Sequence, residues 1–459
     1  MISASSRLIE ITRAAQSGPF VEEKEFDLKV IPSKLRQLVK EYEITYNRET
    51  PVPNDPQLAD QVFEAARDFL KDVGILCIDT RRVIKFDDGE IKEAARSAPT
   101  RVRVGTGNDC REIMQRRVED HTRPTIVGGL GGGIVSSRYY EDILTSIAVE
   151  PVIDAVCGGS LVEVEGGPIV KDSPIEMHAA KYEATCMRNA AARAGRPGLC
   201  VLGGSPEDAA AVISAFDPEL GYRKTDMAIS CLIYPMKTTL NLLSKTKYFV
   251  DYGCPIFSYA DHLIGGYTGG PDTTAISMTA HHLANQVINK SSVQEVSCQD
   301  IRYNNTSSRM SIWAHSVVAQ ALARNTTIIT FSEAFASSGP CTEMILYEAV
   351  APALAVVSGA HAGPGPAGCG TKEVDRFTGL EERFFGEVAL SLAGKKLEYA
   401  NDIAKAVLPK YEHMFGNPPL GKRFDECYDV GKMRPTAEWL YVWKAVRKEL
   451  KQIGLELGE

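Results

Sequence analysis

From Pro124 onward the chain repeats one unit, a short apolar strand followed by a helix. Eight strand candidates follow in order: Thr125–Gly128, Asp154–Gly158, Leu199–Leu202, Met227–Leu232, Pro255–Ala260, Gln294–Cys298, Thr327–Phe331 and Ala355–Gly359. Helical stretches at Ala179–Ala194, Pro206–Phe216, Thr273–Lys290, Met310–Ala323 and Thr342–Val350 separate them. A strand that is apolar on both faces is covered on both sides, and parallel neighbours need long crossovers, for which helices are the usual solution. Eight such units in about 250 residues predict a TIM (β/α)8 barrel, with a doubly wound open sheet as the alternative.

The flanks do not share this texture. Residues 1–123 read as a mainly helical extension packed on the barrel. Pro32 opens a helix over Ser33–Glu43, and Ala59–Val73 is amphipathic and closed by Gly74. Strand-like runs follow at Ile75–Ile78 and Val83–Phe86, then a helix over Glu90–Ala98, and an alternating strand Arg101–Gly105 that could close the bottom of the barrel. The barrel core is assigned to 124–370. Residues 371–459 are read as C-terminal helices on its outside, at Glu381–Leu392, Leu397–Tyr411 and Thr436–Ile453. Between the two, Gly363–Gly370 carries too much glycine and proline for a regular element and is expected as a loop over one end of the barrel.

A net charge of -8 argues against nucleic acid or an anionic membrane as the main partner. No run of about 18 apolar residues or signal-like start is present, so a cytoplasmic location is expected. The 11 cysteines are dispersed, without a Cys-x-x-Cys pair, and read as reduced, buried small hydrophobes. His281 and His282 are adjacent on a helix and cannot both turn to one ion, so no zinc site is expected.

In a barrel the chemistry lies where the strands end. The exits here are rich in glycine, at Gly128–Gly133, Gly158-Gly159, Gly203-Gly204 and Gly265–Gly270, which leaves room for a ligand. The first of them lacks the spacing of a phosphate loop. Polar residues at the exits are few: Asp261 and His262 after the fifth strand, Asp300 and Arg302 after the sixth, Glu333 after the seventh. Each alone reads as a solvated loop residue, but their coincidence at one face marks it as the candidate site.

Short motifs spread over most of the chain also carry a resemblance. Ile78-Asp79-Thr80, Gly105-Thr106-Gly107, Ala194–Gly198, Gly265-Gly266-Tyr267, Ile301-Arg302, Gly339-Pro340-Cys341-Thr342-Glu343-Met344 and Phe424–Val430 are similar, in the same order, to the monomethylamine methyltransferases of methanogens. The resemblance implies a TIM barrel and a closed homo-oligomer, a hexamer. It also implies transfer of a methyl group from an amine to the Co(I) of a corrinoid, carried by a separate protein that docks over the barrel mouth. No cobalamin need bind this chain tightly.

The departures fall on the residues that do the family's chemistry. Leu202 stands where the family has pyrrolysine, so the adduct that captures methylamine cannot form. By the same resemblance the family's active-site glutamates fall on Ile229 and Tyr259, its glutamine on Glu333 and its tyrosine on Phe335. These changes suggest a pyrrolysine-free enzyme for a quaternary ammonium or sulfonium donor, with Glu333 catalytic and Leu202, Ile229, Tyr259, Asp261, Tyr267, Arg302 and Phe335 around the substrate. Tyr259, Phe335 and Tyr267 would then cage the cation. Glu333 could balance its charge or pair with Arg302. A lyase or hydrolase reusing the barrel mouth, and a non-catalytic binding protein, are the alternatives from other classes.

Overall fold

The computed structural model describes residues 4–204 and 208–458. Eight parallel strands form one sheet: β1 (Val127–Gly129), β2 (Ala155–Cys157), β3 (Cys200–Gly203), β4 (Met227–Ile229), β5 (Ile256–Ile264), β6 (Val293–Asp300), β7 (Thr330–Ser332) and β8 (His361–Ala362). Each pairs with the next in chain order, and a parallel bridge between Ile126 and Ala362 joins the last strand to the first. The sheet is therefore a closed TIM barrel, and the open-sheet alternative falls.

Seven of the expected strands overlap the observed ones, and the eighth is displaced. Ala355–Gly359 is not a strand: Leu354–Val356 is a 3-10 turn ending a helix, and β8 begins at His361. An apolar run this short suits a buried helix end as well as a buried strand, so composition could not separate them.

The crossover helices are α1 (Tyr140–Ala148), α2 (Pro174–Arg193), α3 (Ala209–Ser214), α4 (Leu240–Tyr252), α5 (Pro271–Ile288), α6 (Arg309–Asn325), α7 (Glu343–Ala353) and α8 (Gly379–Ser391). The start expected for α3 at Pro206 lies outside the described residues. Helix α8, placed by the sequence with the C-terminal segment, packs between α1 and α7 and so completes the outer ring. Helices Leu397–Tyr411 and Ala437–Gln452 lie outside it, the first and last both against α7 or its neighbours. No helix among the described residues is long and apolar enough to cross a membrane.

Alternate residues of each strand point inward, and the lower interior is filled by Val127, Ala155, Cys200, Met227, Phe257, Val293, Ile329 and Phe331. The hairpin Arg101–Val104 with Arg111–Met114 inserts Val102, Val104 and Ile113 into this same cluster. It closes the N-terminal end of the barrel, as expected. With that end plugged, the other end is left as the place for a ligand. The helix Pro56–Val73, capped by Asp55 and ended at Gly74, lies along α5 and α6. Strand Ile75–Cys77 pairs with Arg82–Ile84 and with Lys237–Thr238, which ties the extension to the loop after β4. Gly363–Gly370 folds against the exit of β7. Gly363 needs its missing side chain: φ is +112°, and a Cβ there would lie 1.8 Å from the Val127 carbonyl oxygen.

Candidate active site

The site is built by strand register. In β5 and β6 Tyr259 stands opposite Glu295 and Asp261 opposite Ser297, while Glu295 stands opposite Phe331 of β7. These residues share the inward parity of Phe257, Val293 and Phe331. They emerge one layer higher, where the interior opens, and Glu333 follows β7 at the same level. Together they line a cavity of about 80 Å³. One side is apolar, with Leu202, Ile229 and Phe257. Another is glycine, with Gly131, Gly132 and Gly158. The third carries Asp261, Glu295 and Glu333, with Tyr259, Cys157 and Pro364 completing the wall. A Cβ built on Gly132 meets nothing within 4 Å, so the cavity is open past this residue.

The three carboxyl groups each place an oxygen within 4.8 Å of the others. Glu295 and Glu333 are 2% and 3% exposed, too deep for water to screen them. Burial pushes both well above the usual carboxylate range, and for each a neighbouring carboxyl raises it further. Asp261 is raised to about 6 by burial, with Ser297 and Glu333 working the other way. Burial also raises the Cys157 thiol, with Glu333 adding to the effect, so the thiol stays neutral. The cluster remains short of partners: Asp261 Oδ1, Glu333 Oε2 and Ser297 Oγ are buried without a hydrogen bond of ordinary geometry.

Not every residue expected here is brought in. Leu202, Ile229, Tyr259, Asp261 and Glu333 line the cavity. Arg302 does not: its Nε and terminal nitrogen bind the Asp300 carboxylate at 2.9 and 2.6 Å, and it lines an outer cleft of about 560 Å³ with Tyr46, Tyr303 and Arg309. The pairing of Glu333 with Arg302 is thus not formed, because Arg302 follows the end of β6 and turns away from the barrel axis toward its own neighbour. Tyr267 is 46% exposed on the Gly265–Gly270 loop, its ring centroid 6.0 Å from Lys237 Nζ. Phe335 is buried behind the glycine wall, its ring 3.7 Å from a Cβ built on Gly131. The three-sided aromatic cage is therefore not assembled; Tyr259 alone faces the cavity.

Glu295 is a carboxyl group of this cavity that was not expected from the sequence. The signal was present, since a carboxylate two residues after Val293 has the parity of a barrel-interior position. Only the register shows that it meets Asp261 and Glu333.

Supporting groups hold this layer from outside. Glu382 of α8 accepts the Gly129 N–H at 3.1 Å, fixing the exit of β1. Thr342 caps α7 through the Ile345 N–H, and one turn further Glu348 accepts hydrogen bonds from Ser307, Ser337 and Ser338. It thereby fastens the loops after β6 and β7, next to Glu333. This gives the Gly339–Met344 motif a physical reason: it starts the helix that carries the clasp.

Known proteins match this chain along nearly all its length. The family model described as "Monomethylamine methyltransferase MtmB" matches residues 7–455. Monomethylamine methyltransferase MtmB1 of Methanosarcina acetivorans is 30% identical over 442 residues, 96% of each chain. MtmB3 of Methanosarcina barkeri strain Fusaro is 31% identical over 432 residues, 94% of each. The crystal structure of the Methanosarcina barkeri monomethylamine methyltransferase superposes with a TM-score of 0.95 at 30% identity, covering 98% of both chains. A crystal structure of the hydroxylamine MtmB complex matches equally well. With a closed barrel, a plugged base, a ligand-sized cavity at the strand exits and similarity from end to end, the chain belongs to the monomethylamine methyltransferase family.

Proposed function

We propose that this protein is a corrinoid-dependent methyltransferase that takes its methyl group from a small, positively charged methylated amine, without a pyrrolysine adduct. The observation that carries this reading is the Asp261, Glu295 and Glu333 set, facing Leu202 across a small cavity at the strand exits. Leu202 has no electrophile to hold an amine. Carboxylates hold one by charge instead, and a buried acidic cluster needs such a partner.

A corrinoid carried by a separate protein supplies the Co(I) methyl acceptor. The residues of this chain bind and orient the donor. An amine leaves readily only as a neutral molecule, so its nitrogen must be positive before the carbon–nitrogen bond breaks. Carboxylates within a few ångströms favour the charged form and keep the nitrogen protonated or otherwise cationic. On transfer to that acceptor the carbon–nitrogen pair would stay with nitrogen, so the amine held by these carboxylates would depart uncharged. Leu202, Ile229 and Phe257 exclude water around the methyl group, and the opening past Gly132 offers it a way to face a docked partner.

The test is methyl transfer from a panel of methylated amines to cob(I)alamin, followed by the acceptor's spectrum. Glu333→Gln and Tyr259→Ala should each lower the rate at least about tenfold, about 1.4 kcal/mol of barrier, with folding intact. Failure of every donor to yield methylated acceptor, with or without a corrinoid protein, would overturn the proposal in favour of a lyase, hydrolase or binding protein.

A further inference from the structure

We infer that Asp261 and Glu295, together with Glu333, form a cradle that recognises the N–H bonds of an alkylammonium and so selects donors that keep at least one N–H over quaternary ones. This rests on the reading of the site as the donor pocket and deepens it. Four observations converge.

The first is unmet acceptor capacity. Glu333 Oε2 and Asp261 Oδ1 are buried without a hydrogen bond of ordinary geometry, and Glu333 is more than nine-tenths buried while lining the cavity. A quaternary nitrogen has no hydrogen to give them; an ammonium N–H does. The second is spacing. Charge-assisted N–H···O bonds of about 2.8 Å in tetrahedral directions put their acceptors about 4.6 Å apart. The three carboxyl oxygens lie within 4.8 Å of one another.

The third observation is size. A cavity of about 80 Å³ has room for more than one water but is small, which suits a compact cation. The fourth is what the opposite walls lack. Neither Tyr267 nor Phe335 lines the cavity, so of the three rings expected to cage a quaternary head only Tyr259 is present, with Phe257 as the other aromatic of the wall. A hard divalent ion is also poorly served. It seeks six or more oxygens in most protein sites, and beyond the three carboxyls and Tyr259 this pocket is walled by Leu202, Ile229 and Phe257, whose side chains offer none.

Nothing here needs a covalent step. The cation enters charged, the carboxyl groups accept its N–H bonds, and only the transfer already described breaks a bond. Glu295 and Asp261 become specificity-determining residues: they fix which nitrogen is held and leave the carbon side to the apolar wall.

Calorimetric titration of the whole chain with the chlorides of methylammonium, dimethylammonium, trimethylammonium and tetramethylammonium, and with Mn2+, tests this without any acceptor. The N–H-bearing ions should bind at least tenfold more tightly than tetramethylammonium. Glu295→Gln should weaken them at least tenfold and change tetramethylammonium binding less than threefold. The selectivity of the unmodified protein is an independent measure should the variant fold poorly. Tetramethylammonium binding as tightly as the others, or Mn2+ binding that no ammonium displaces, overturns the inference. If ammonium binds selectively but no methyl group reaches cob(I)alamin, the methyltransferase reading falls and the cradle stands. If methyl transfer proceeds and Glu295→Gln binds every donor as before, the reverse holds.

Discussion

Removing one carboxyl from the cluster should stabilise the protein, and only where that carboxyl is ionised. Asp261 is raised from the usual 3.8 to about 6, mainly by burial. Its folded-state pKa lies above its unfolded value, so the folded chain holds the proton longer. Well below pH 4 both states are protonated and the group costs nothing. Between about pH 4 and 6 the unfolded chain ionises freely while the site resists, and above pH 6 the full cost is present. A shift of about two units is worth about 3 kcal/mol, less a discount for the part of Asp261 that faces the cavity, leaving roughly 2–3 kcal/mol. Asp261→Asn also relieves the like-charge pressure on Glu295 and Glu333, which acts in the same direction. At about 2.1 cal/mol/K per residue, a chain of 459 residues has an unfolding entropy near 1 kcal/mol/K. The variant should therefore melt about 2–3 °C above the parent at pH 8 and within 1 °C of it at pH 4. Thermal unfolding at one fixed scan rate, in amine-free buffers, measures both. An equal shift at the two pH values, or a lower melting temperature at pH 8, would refute the argument that the cluster is held against an electrostatic cost.

Glu348→Ala leaves two buried backbone N–H groups and three serine hydroxyls without their acceptor, and at 1–3 kcal/mol for a stranded buried donor it should cost at least about 3 kcal/mol, seen as a melting temperature several degrees lower. Position 202 should carry leucine in the protein itself: intact mass and peptide sequencing that found pyrrolysine there would restore the adduct chemistry. The chain should also be larger than a monomer in solution, with light scattering well above its 50.0 kDa at micromolar concentration, and a monomer mass would count against the closed oligomer that the family resemblance implies.

The barrel was legible because its signal is local and repeated. Continuous apolar strands such as Leu199–Leu202, each bounded by glycine and followed by a helix, leave few other ways to bury both faces. Where one local pattern suits two outcomes the reading slipped. Ala355–Gly359 is apolar enough for a strand or a helix end, and only the closing bridge from Ala362 to Ile126 shows which segment is the eighth strand. The exit glycines, Asp261 and Glu333 were likewise visible, since a barrel confines its chemistry to one end.

The amino-acid order alone fixes the repeating unit, the end of the barrel at which a site can form, and a leucine at position 202. Which exit residues meet depends on the closed barrel. Tyr267 and Arg302 sit at the right exits yet turn outward, on a glycine loop and onto Asp300, because side-chain direction beyond a strand's end is set by loop geometry and partners distant in sequence. Glu295 turns inward to join Asp261 and Glu333 because the register of β5, β6 and β7 sets it one layer above the filled interior. Register is a relation between strands more than thirty residues apart, settled when the barrel closes, and no stretch of the chain read alone contains it.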